Sequence, residues 1–121
     1  MKIEKFEDIQ AWQKWRELTN KIYEITRSES FNKDRWLRDQ IRRASVSIVS
    51  NIAEWFERNT DKEFKQFLFI ALGSLAELET LLVIARELGF AHDQASQKIE
   101  ARVAEVGKMI NGLIRKLTTN H

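Results

Sequence analysis

The stretch from Gln40 to Gly89, QIRRASVSIVSNIAEWFERNTDKEFKQFLFIALGSLAELETLLVIARELG, decides the fold. Apolar residues recur in it at three- and four-residue spacing, the period of an α-helix, on both sides of Thr60-Asp61-Lys62-Glu63. That tetrapeptide has the pattern of a capping box, in which the Thr60 oxygen and the Glu63 carboxylate each satisfy a free amide. Gly89 can adopt the left-handed conformation that ends many helices. The stretch therefore predicts two consecutive helices, the second over residues 61–88.

The same periodicity continues outward and predicts four helices, over about 8–28, 33–58, 61–88 and 94–118. Asn32 is the expected N-cap of the second helix, with Phe31 and Trp36 as a hydrophobic staple. The segment from Val46 to Ser50 has the β-branched residues of a strand, but the helical repeat on both sides favours helix. The expected core residues are Ala11, Trp15, Leu18, Ile22, Ile25, Leu37, Ile41, Ala44, Ile48, Ile52, Trp55, Phe64, Phe67, Leu68, Ala71, Leu75, Leu78, Leu82, Ala85, Ile99, Val103, Val106, Ile110, Leu113 and Leu117.

Length and composition indicate one helical domain. The chain has 121 residues, no proline and four glycines, so it lacks the turn punctuation of a β protein. Short connections make consecutive helices antiparallel, which predicts an all-α, up-down-up-down four-helix bundle over residues 1–121. There is no cysteine, which excludes disulfides and thiolate metal sites and fits a cytoplasmic protein. No apolar run approaches the roughly 20 residues of a membrane span, and residues 1–10 have no secretory apolar segment.

Two predicted helices are apolar on a second side. On the second helix a stripe of arginines continues as an apolar stripe, and on the third helix apolar residues recur every seven positions away from the core. A helix that is apolar on two sides needs two partners, so we expect homo-oligomerisation; the alternative is an unusually wide bundle face. Gly73 and Ser74 in mid-helix fit a close approach of another helix. The candidate interface residues are Val46, Val49, Ala53, Phe56, Phe69, Ala76 and Val83.

The candidate nucleic-acid-binding residues are Arg35, Arg38, Arg42 and Arg43. Guanidinium groups suit phosphate, and a repeated patch in an oligomer could follow an RNA or DNA backbone with little sequence selectivity. The net charge is only +2, and residues 31–60 carry six basic and four acidic residues against three and five in residues 61–90. The alternative is therefore that Arg42 and Arg43 pair with Glu77, Glu79 or acids of a neighbouring subunit. Base stacking by the four tryptophans is a weaker hypothesis, since tryptophan at helical spacing is usually core.

No catalytic or metal motif is present. The Glu-x-x-His pairs of di-iron bundles are absent, and the two histidines are His92, in a predicted loop, and the terminal His121. Glu54 and Glu57 share a helix face, but no partner ligand is evident. Asn51 is expected to fix helix register by a hydrogen bond rather than to act in catalysis. We therefore predict a protein that is not an enzyme and needs no cofactor.

The chain resembles a family of four-helix-bundle proteins encoded in intervening sequences of bacterial 23S ribosomal RNA genes. That family is typically built as QIRRAxxSIPSNIAEGFGR, a short gap and EFxxFLxIAxGSxxELETxLxIAxxLG, and the likeness extends back through FEDIQAWQKWREL at residues 6–18. This chain departs from the pattern at Val49, where the family usually has proline, and at Trp55 and Glu57, where it usually has glycine.

The resemblance implies a ring-forming pentamer, and distant relatives among the accessory proteins of diversity-generating retroelements resemble ring-shaped adaptors that bind a reverse transcriptase and nucleic acid. The expected function is a non-enzymatic oligomeric scaffold or adaptor that binds RNA or DNA. The alternative is a pure protein–protein interaction module, with a protein partner still to be identified and no nucleic-acid role.

Overall fold

The computed structural model of the protein describes residues 10–58 and 60–119, except for the side chains of residues 51, 54–58 and 119. It contains four α-helices: α1 (Gln10–Ile25), α2 (Arg35–Arg58), α3 (Asp61–Glu87) and α4 (Asp93–Thr119). A short 3-10 helix, Glu29–Lys33, lies between α1 and α2. No strand occurs in the described residues, and the segment from Val46 to Ser50 is helical as expected. The predicted start of the first helix at Asp8 lies outside the described residues.

The helices enclose one apolar core. Within the described chain, α1 packs against α2 and α4, and α3 packs against the same two helices. The backbones of the diagonal pairs, α1 with α3 and α2 with α4, do not come close to each other. Every predicted core residue that can be assessed is buried except Ile25 and Ala44, which are half-buried against the core, while the side chain of Trp55 lies outside the description. Phe31 and Ile114 were not among the predicted core residues and are buried too.

The Thr60 cap and the Gly89 cap of α3 are present as predicted, but the Glu63 carboxylate contacts the Thr60 hydroxyl rather than a free amide. The Thr60 hydroxyl accepts a hydrogen bond from the Glu63 amide at 3.3 Å, and the Glu63 carboxylate lies 3.5 Å from that hydroxyl. At the other end Gly89 has a φ of 79°, which is left-handed. The Phe90 amide then donates to the Ala85 carbonyl at 2.9 Å, the bond that defines a Schellman cap.

The predicted start of the second helix at Asn32 is wrong. Asn32 belongs to the 3-10 helix, and α2 is capped instead by Asp34, whose carboxylate accepts a hydrogen bond from the Leu37 amide at 3.0 Å. The staple is also absent, because Phe31 is buried while Trp36 is 67% exposed. Phe31 turns inward and meets Phe90, with ring centroids 5.9 Å apart. Burying the Phe31 ring against the α3–α4 connection removes more apolar surface from water than a contact with the exposed Trp36 would, so it stabilises the fold more.

Two tryptophans join α1 to α2. The indole N–H of Trp15 donates to the Ser45 carbonyl at 2.8 Å, and that of Trp12 donates to the Val49 carbonyl at 3.1 Å. Trp15 is fully buried and Trp12 packs partly against the core. Their indoles are therefore held in the bundle, as the core interpretation of these tryptophans requires.

The helix α3 has more apolar surface than the bundle covers. It is long and apolar enough to cross a membrane by length and composition, a test that core helices of soluble proteins also pass. Eight of its residues are buried in the core. Yet only 33% of its most apolar 18-residue window is buried. The uncovered part includes Phe69, Ile70 and Ile84, which are exposed.

Candidate arginine cluster and assembly surfaces

The arginine cluster comprises the four residues Arg35, Arg38, Arg42 and Arg43 at the start of α2. Arg42 is the member that the chain itself holds in place. Its Nε donates to the Thr26 hydroxyl at 2.8 Å, and its guanidinium carbon lies 4.7 Å from the centroid of the Tyr23 ring. Thr26 is buried, and its hydroxyl donates a hydrogen bond to the Ile22 carbonyl at 2.7 Å. Arg42 is thus anchored at one edge, while its two terminal amino groups have no hydrogen bond within the described chain.

The other three arginines differ in how freely they can bind. Arg38 is half-buried and shares its donors between Asp39, at 3.2 Å, and the Asn32 side chain, at 3.3 Å. Arg35 and Arg43 are exposed, and neither side chain has a hydrogen bond or ion pair within the described residues. An intrachain pairing of Arg42 or Arg43 with Glu77 or Glu79 does not occur there; Arg42 contacts α1 instead.

A groove runs between α1 and α2 beside the arginine cluster. We call it the α1–α2 groove; it encloses about 580 Å³. Its lining residues are Thr19, Asn20, Tyr23, Glu24, Arg27 and Val46. The ring on which Arg42 stacks therefore forms part of the groove wall. An apolar side chain, Val46, lies exposed among polar neighbours and is 38% accessible.

The predicted interface residues on α2 differ in exposure. Val46 is exposed, Val49 and Ala53 are half-buried, and the side chain of Phe56 lies outside the description. Val49 packs partly against the core, where its carbonyl receives the Trp12 indole. Among the three of these residues whose side chains the structure describes, Val46 is the one that presents a large apolar group to an approaching molecule.

The outward face of α3 carries a longer apolar surface than sequence reasoning identified. Phe69 is 55% exposed, Ala76 is exposed and Val83 is half-buried, and the same face includes Ile70 at 62%, Ile84 at 39% and Leu88 at 56%. The seven-residue spacing of Ile70, Glu77 and Ile84 could have identified this second line. We call the whole surface the outer α3 stripe. It consists of Phe69, Ile70, Gly73, Ala76, Glu77, Thr80, Val83, Ile84 and Leu88.

A second cleft, of about 600 Å³, lies where the α1 end meets the α3–α4 connection. Ile25 and Phe90 contribute its apolar lining, and Arg27 and His92 are among its polar residues. Among the described residues, no three side chains of the metal-binding types come together. Asn51, Glu54 and Glu57 have side chains outside the description, so the roles considered for them stay predictions.

Comparison with known proteins agrees with the fold. No curated protein matches the chain. The family model described as 23S rRNA-intervening sequence protein matches residues 7–112, which covers all of α1, α2 and α3 and most of α4. The resemblance noted in the Gln40–Gly89 stretch is thereby confirmed, and the chain belongs to the family of 23S rRNA-intervening sequence proteins.

Proposed function

We propose that this protein is a non-enzymatic, homo-oligomeric scaffold that presents the arginine cluster to the phosphate backbone of RNA or DNA. The observation that carries the proposal is the outer α3 stripe. It places Phe69, Ile70, Ile84 and Leu88 on one exposed face. Exposed apolar side chains grouped on one face of a helix are typical of an interaction site in a folded protein.

The arginine cluster supports the nucleic-acid part of the proposal. Arg35 and Arg43 are exposed, and neither side chain has a hydrogen bond or ion pair within the described chain. Phosphate contacts need charge and donors rather than a shaped pocket, and an oligomer multiplies them. Binding of this kind would be sensitive to salt and tolerant of sequence.

We also propose that the bundle has antiparallel neighbours and that its copies close into a ring. The hydrogen bonds between α1 and α2 support antiparallel packing, because Trp12, Trp15 and Thr26 meet Val49, Ser45 and Arg42 in reversed order along the chain. The connections between helices are short, as such packing requires. A pentameric ring is what the family resemblance implies.

Light scattering on a sizing column tests assembly. We expect a mass several times that of the 14.3 kDa chain at both low and high salt. An interface held by apolar contacts persists when the Debye length falls from about 10 Å to about 3 Å. A monomer at all accessible concentrations would overturn the scaffold proposal.

Charge reversal tests nucleic-acid binding. The variant Arg35→Glu/Arg43→Glu removes the two exposed members of the cluster, and Lys98→Glu/Arg102→Glu makes the same charge change on the exposed side of α4. We expect the first variant to weaken binding of a short labelled RNA duplex at least tenfold and to lower the salt dependence by about one unit per lost phosphate contact. The α4 control should change the affinity for RNA much less, because it alters the net charge by the same amount but leaves the arginine cluster intact.

A pure protein–protein module is the second candidate. It is favoured by one observation, the anchoring of Arg42 on Thr26 and Tyr23, which builds this arginine into the α1–α2 junction. Under this alternative the wild-type protein assembles but shows no salt-dependent affinity for RNA or DNA. The RNA titration therefore decides between the two candidates.

A further inference from the structure

The outer α3 stripe has a mid-helix glycine that the chain itself does not require. A side-chain carbon built at Gly73 would meet nothing within 4 Å. Glycine in a helix interior costs roughly 1 kcal/mol relative to alanine. Phe69 and Ile70 lie about one turn before it, and Ala76 follows about one turn after. The glycine therefore leaves a notch on an exposed apolar surface, open to a side chain from outside.

The charge on this helix has one sign over most of its length. Between Lys65 and Arg86 the only charged residues are Glu77 and Glu79. Glu77 lies on the outer α3 stripe, seven residues from both Ile70 and Ile84, and has no ion pair within the described chain. An acid placed in an apolar stripe is best accommodated by a partner that brings a cation to that point.

The α1–α2 groove offers the complementary pattern. Arg42 stacks on Tyr23, which lines the groove, and its two terminal amino groups have no hydrogen bond within the described chain. Because Thr26 and Tyr23 already orient the guanidinium, little entropy is lost when it binds. Val46 follows one turn later and is exposed without an apolar neighbour in the groove lining. A cation and an apolar knob thus lie one helical turn apart.

The spacings of the two surfaces agree. On α2 the order is Arg42, Val46 and Val49, with steps of four and three residues; on α3, read backwards, it is Glu77, Gly73 and Ile70 with the same steps. Steps of four and three recur along one side of a helix, as in coiled-coil seams. Two antiparallel helices can therefore satisfy all three pairs at once.

Resting on the proposed assembly, we infer that the outer α3 stripe of one copy docks antiparallel on α2 at the α1–α2 groove of a second copy. Glu77 pairs with Arg42 of the second copy, Val46 of the second copy fills the notch at Gly73, and Ile70 packs near its Val49. The two surfaces differ, so the contact is heterologous. After one such contact forms, the first copy keeps a free groove and the second copy a free stripe, which leads to a ring or an open chain rather than a closed dimer.

Two single substitutions test the contact, because each blocks one surface and leaves the other intact. Gly73→Leu fills the notch, where the chain has room for a side chain. Val46→Glu replaces the apolar side chain proposed to fill that notch with an acid, one helical turn from Glu77 of the other copy. We expect each variant alone to raise the concentration for half-assembly at least tenfold. An equimolar mixture should form a one-to-one dimer, since one variant contributes an intact groove and the other an intact stripe. Gly107→Leu is the matched control on α4, where a side chain also meets nothing within 4 Å.

The charge pair is tested by exchange. We expect Glu77→Arg and Arg42→Glu each to weaken assembly at least tenfold and the double variant to recover most of it. Arg42 also donates a hydrogen bond to Thr26 within its own chain, so circular dichroism must first show that each variant is folded. If Arg42→Glu does not fold, Glu77→Arg alone tests the pair.

The outcomes separate this contact from the scaffold proposal. A monomeric wild-type protein overturns both. A wild-type oligomer that Gly73→Leu and Glu77→Arg leave unchanged overturns this contact alone. If Val46→Glu assembles normally while Gly73→Leu does not, α3 meets some other surface, such as α3 of the second copy, and the proposed groove is wrong. Dimer formation only on mixing supports the contact.

Discussion

Helices α3 and α4 have the same length, 27 residues each, but they distribute their apolar residues differently. Helix α4 places its large apolar residues on one face, and none of the exposed large apolar side chains of the described chain belongs to it. Helix α3 contributes eight core residues and still exposes Phe69, Ile70 and Ile84. A one-sided helix is completed by its own bundle, whereas a two-sided helix needs a further partner. This difference is the reason that the proposed interface is assigned to α3 rather than to α4.

The largest expected effect tests whether the two helices contribute alike to the core. Leu78 on α3 and Ile110 on α4 are both fully buried. We expect Leu78→Ala and Ile110→Ala each to lower the free energy of unfolding by about 2–5 kcal/mol, from lost burial and the cavity left behind. Denaturant unfolding at one fixed protein concentration measures this. A loss below about 1 kcal/mol for either variant would show that its helix is not packed in the common core.

A smaller effect, on assembly, should distinguish the outer face of α3 from that of α4. Ile70→Lys places a charge on the outer α3 stripe, and Ala104→Lys introduces the same side chain at an exposed position of α4. We expect Ile70→Lys to raise the dissociation constant of the assembly at least tenfold, which corresponds to about 1.4 kcal/mol, because the apolar contact is lost and a charge must be desolvated. Ala104→Lys should leave the assembled mass unchanged.

Sedimentation velocity over a range of protein concentrations measures this difference. Equal loss of assembly in both variants would contradict the assignment of the interface to α3. Thermal unfolding of both variants serves as the control, since exposed substitutions usually change stability within about 0.5 kcal/mol.

The smallest effect concerns the ion pair that joins the two helices. Arg86 on α3 donates from Nε and Nη2 to the Glu100 carboxylate on α4, at 2.9 and 3.4 Å. Both side chains are partly exposed, so a double-mutant cycle with Arg86→Met and Glu100→Gln should give a coupling of about 0.5–1 kcal/mol. The coupling should fall at high salt. A coupling that is zero at low salt would mean that packing alone joins α3 to α4.

The α1–α2 connection shows where prediction from sequence stopped. Asn32 and Asp34 are both good N-caps, and local rules did not distinguish between them. The choice depends on Phe31, which is buried against Phe90, a residue distant in sequence. Because Phe31 is buried, Asn32 lies within the 3-10 helix, and Asp34 is the residue that caps α2. The third helix was predicted closely because both of its boundary signals, Thr60 and Gly89, act within a few residues.

The arginine cluster was identified from sequence, but its members were not distinguished. Spacing placed Arg35, Arg38 and Arg42 near one another on a helix, and the structure leaves Arg35 free, engages Arg38 with Asp39 and anchors Arg42 on α1. The partner of Arg42, Thr26, is sixteen residues away in sequence on another element. No local pattern reports such a contact, since it exists only after α1 and α2 have packed.

The amino-acid sequence by itself determined the number of helices, the boundaries of α3, most of the core and the family. These follow from helical periodicity and from caps, which depend on residues within a few positions of one another. Only the tertiary structure decided which apolar residues remain uncovered, which arginine is held in place and where Phe31 goes. Those properties depend on which helices become neighbours, and burial is defined by the neighbours rather than by the residue.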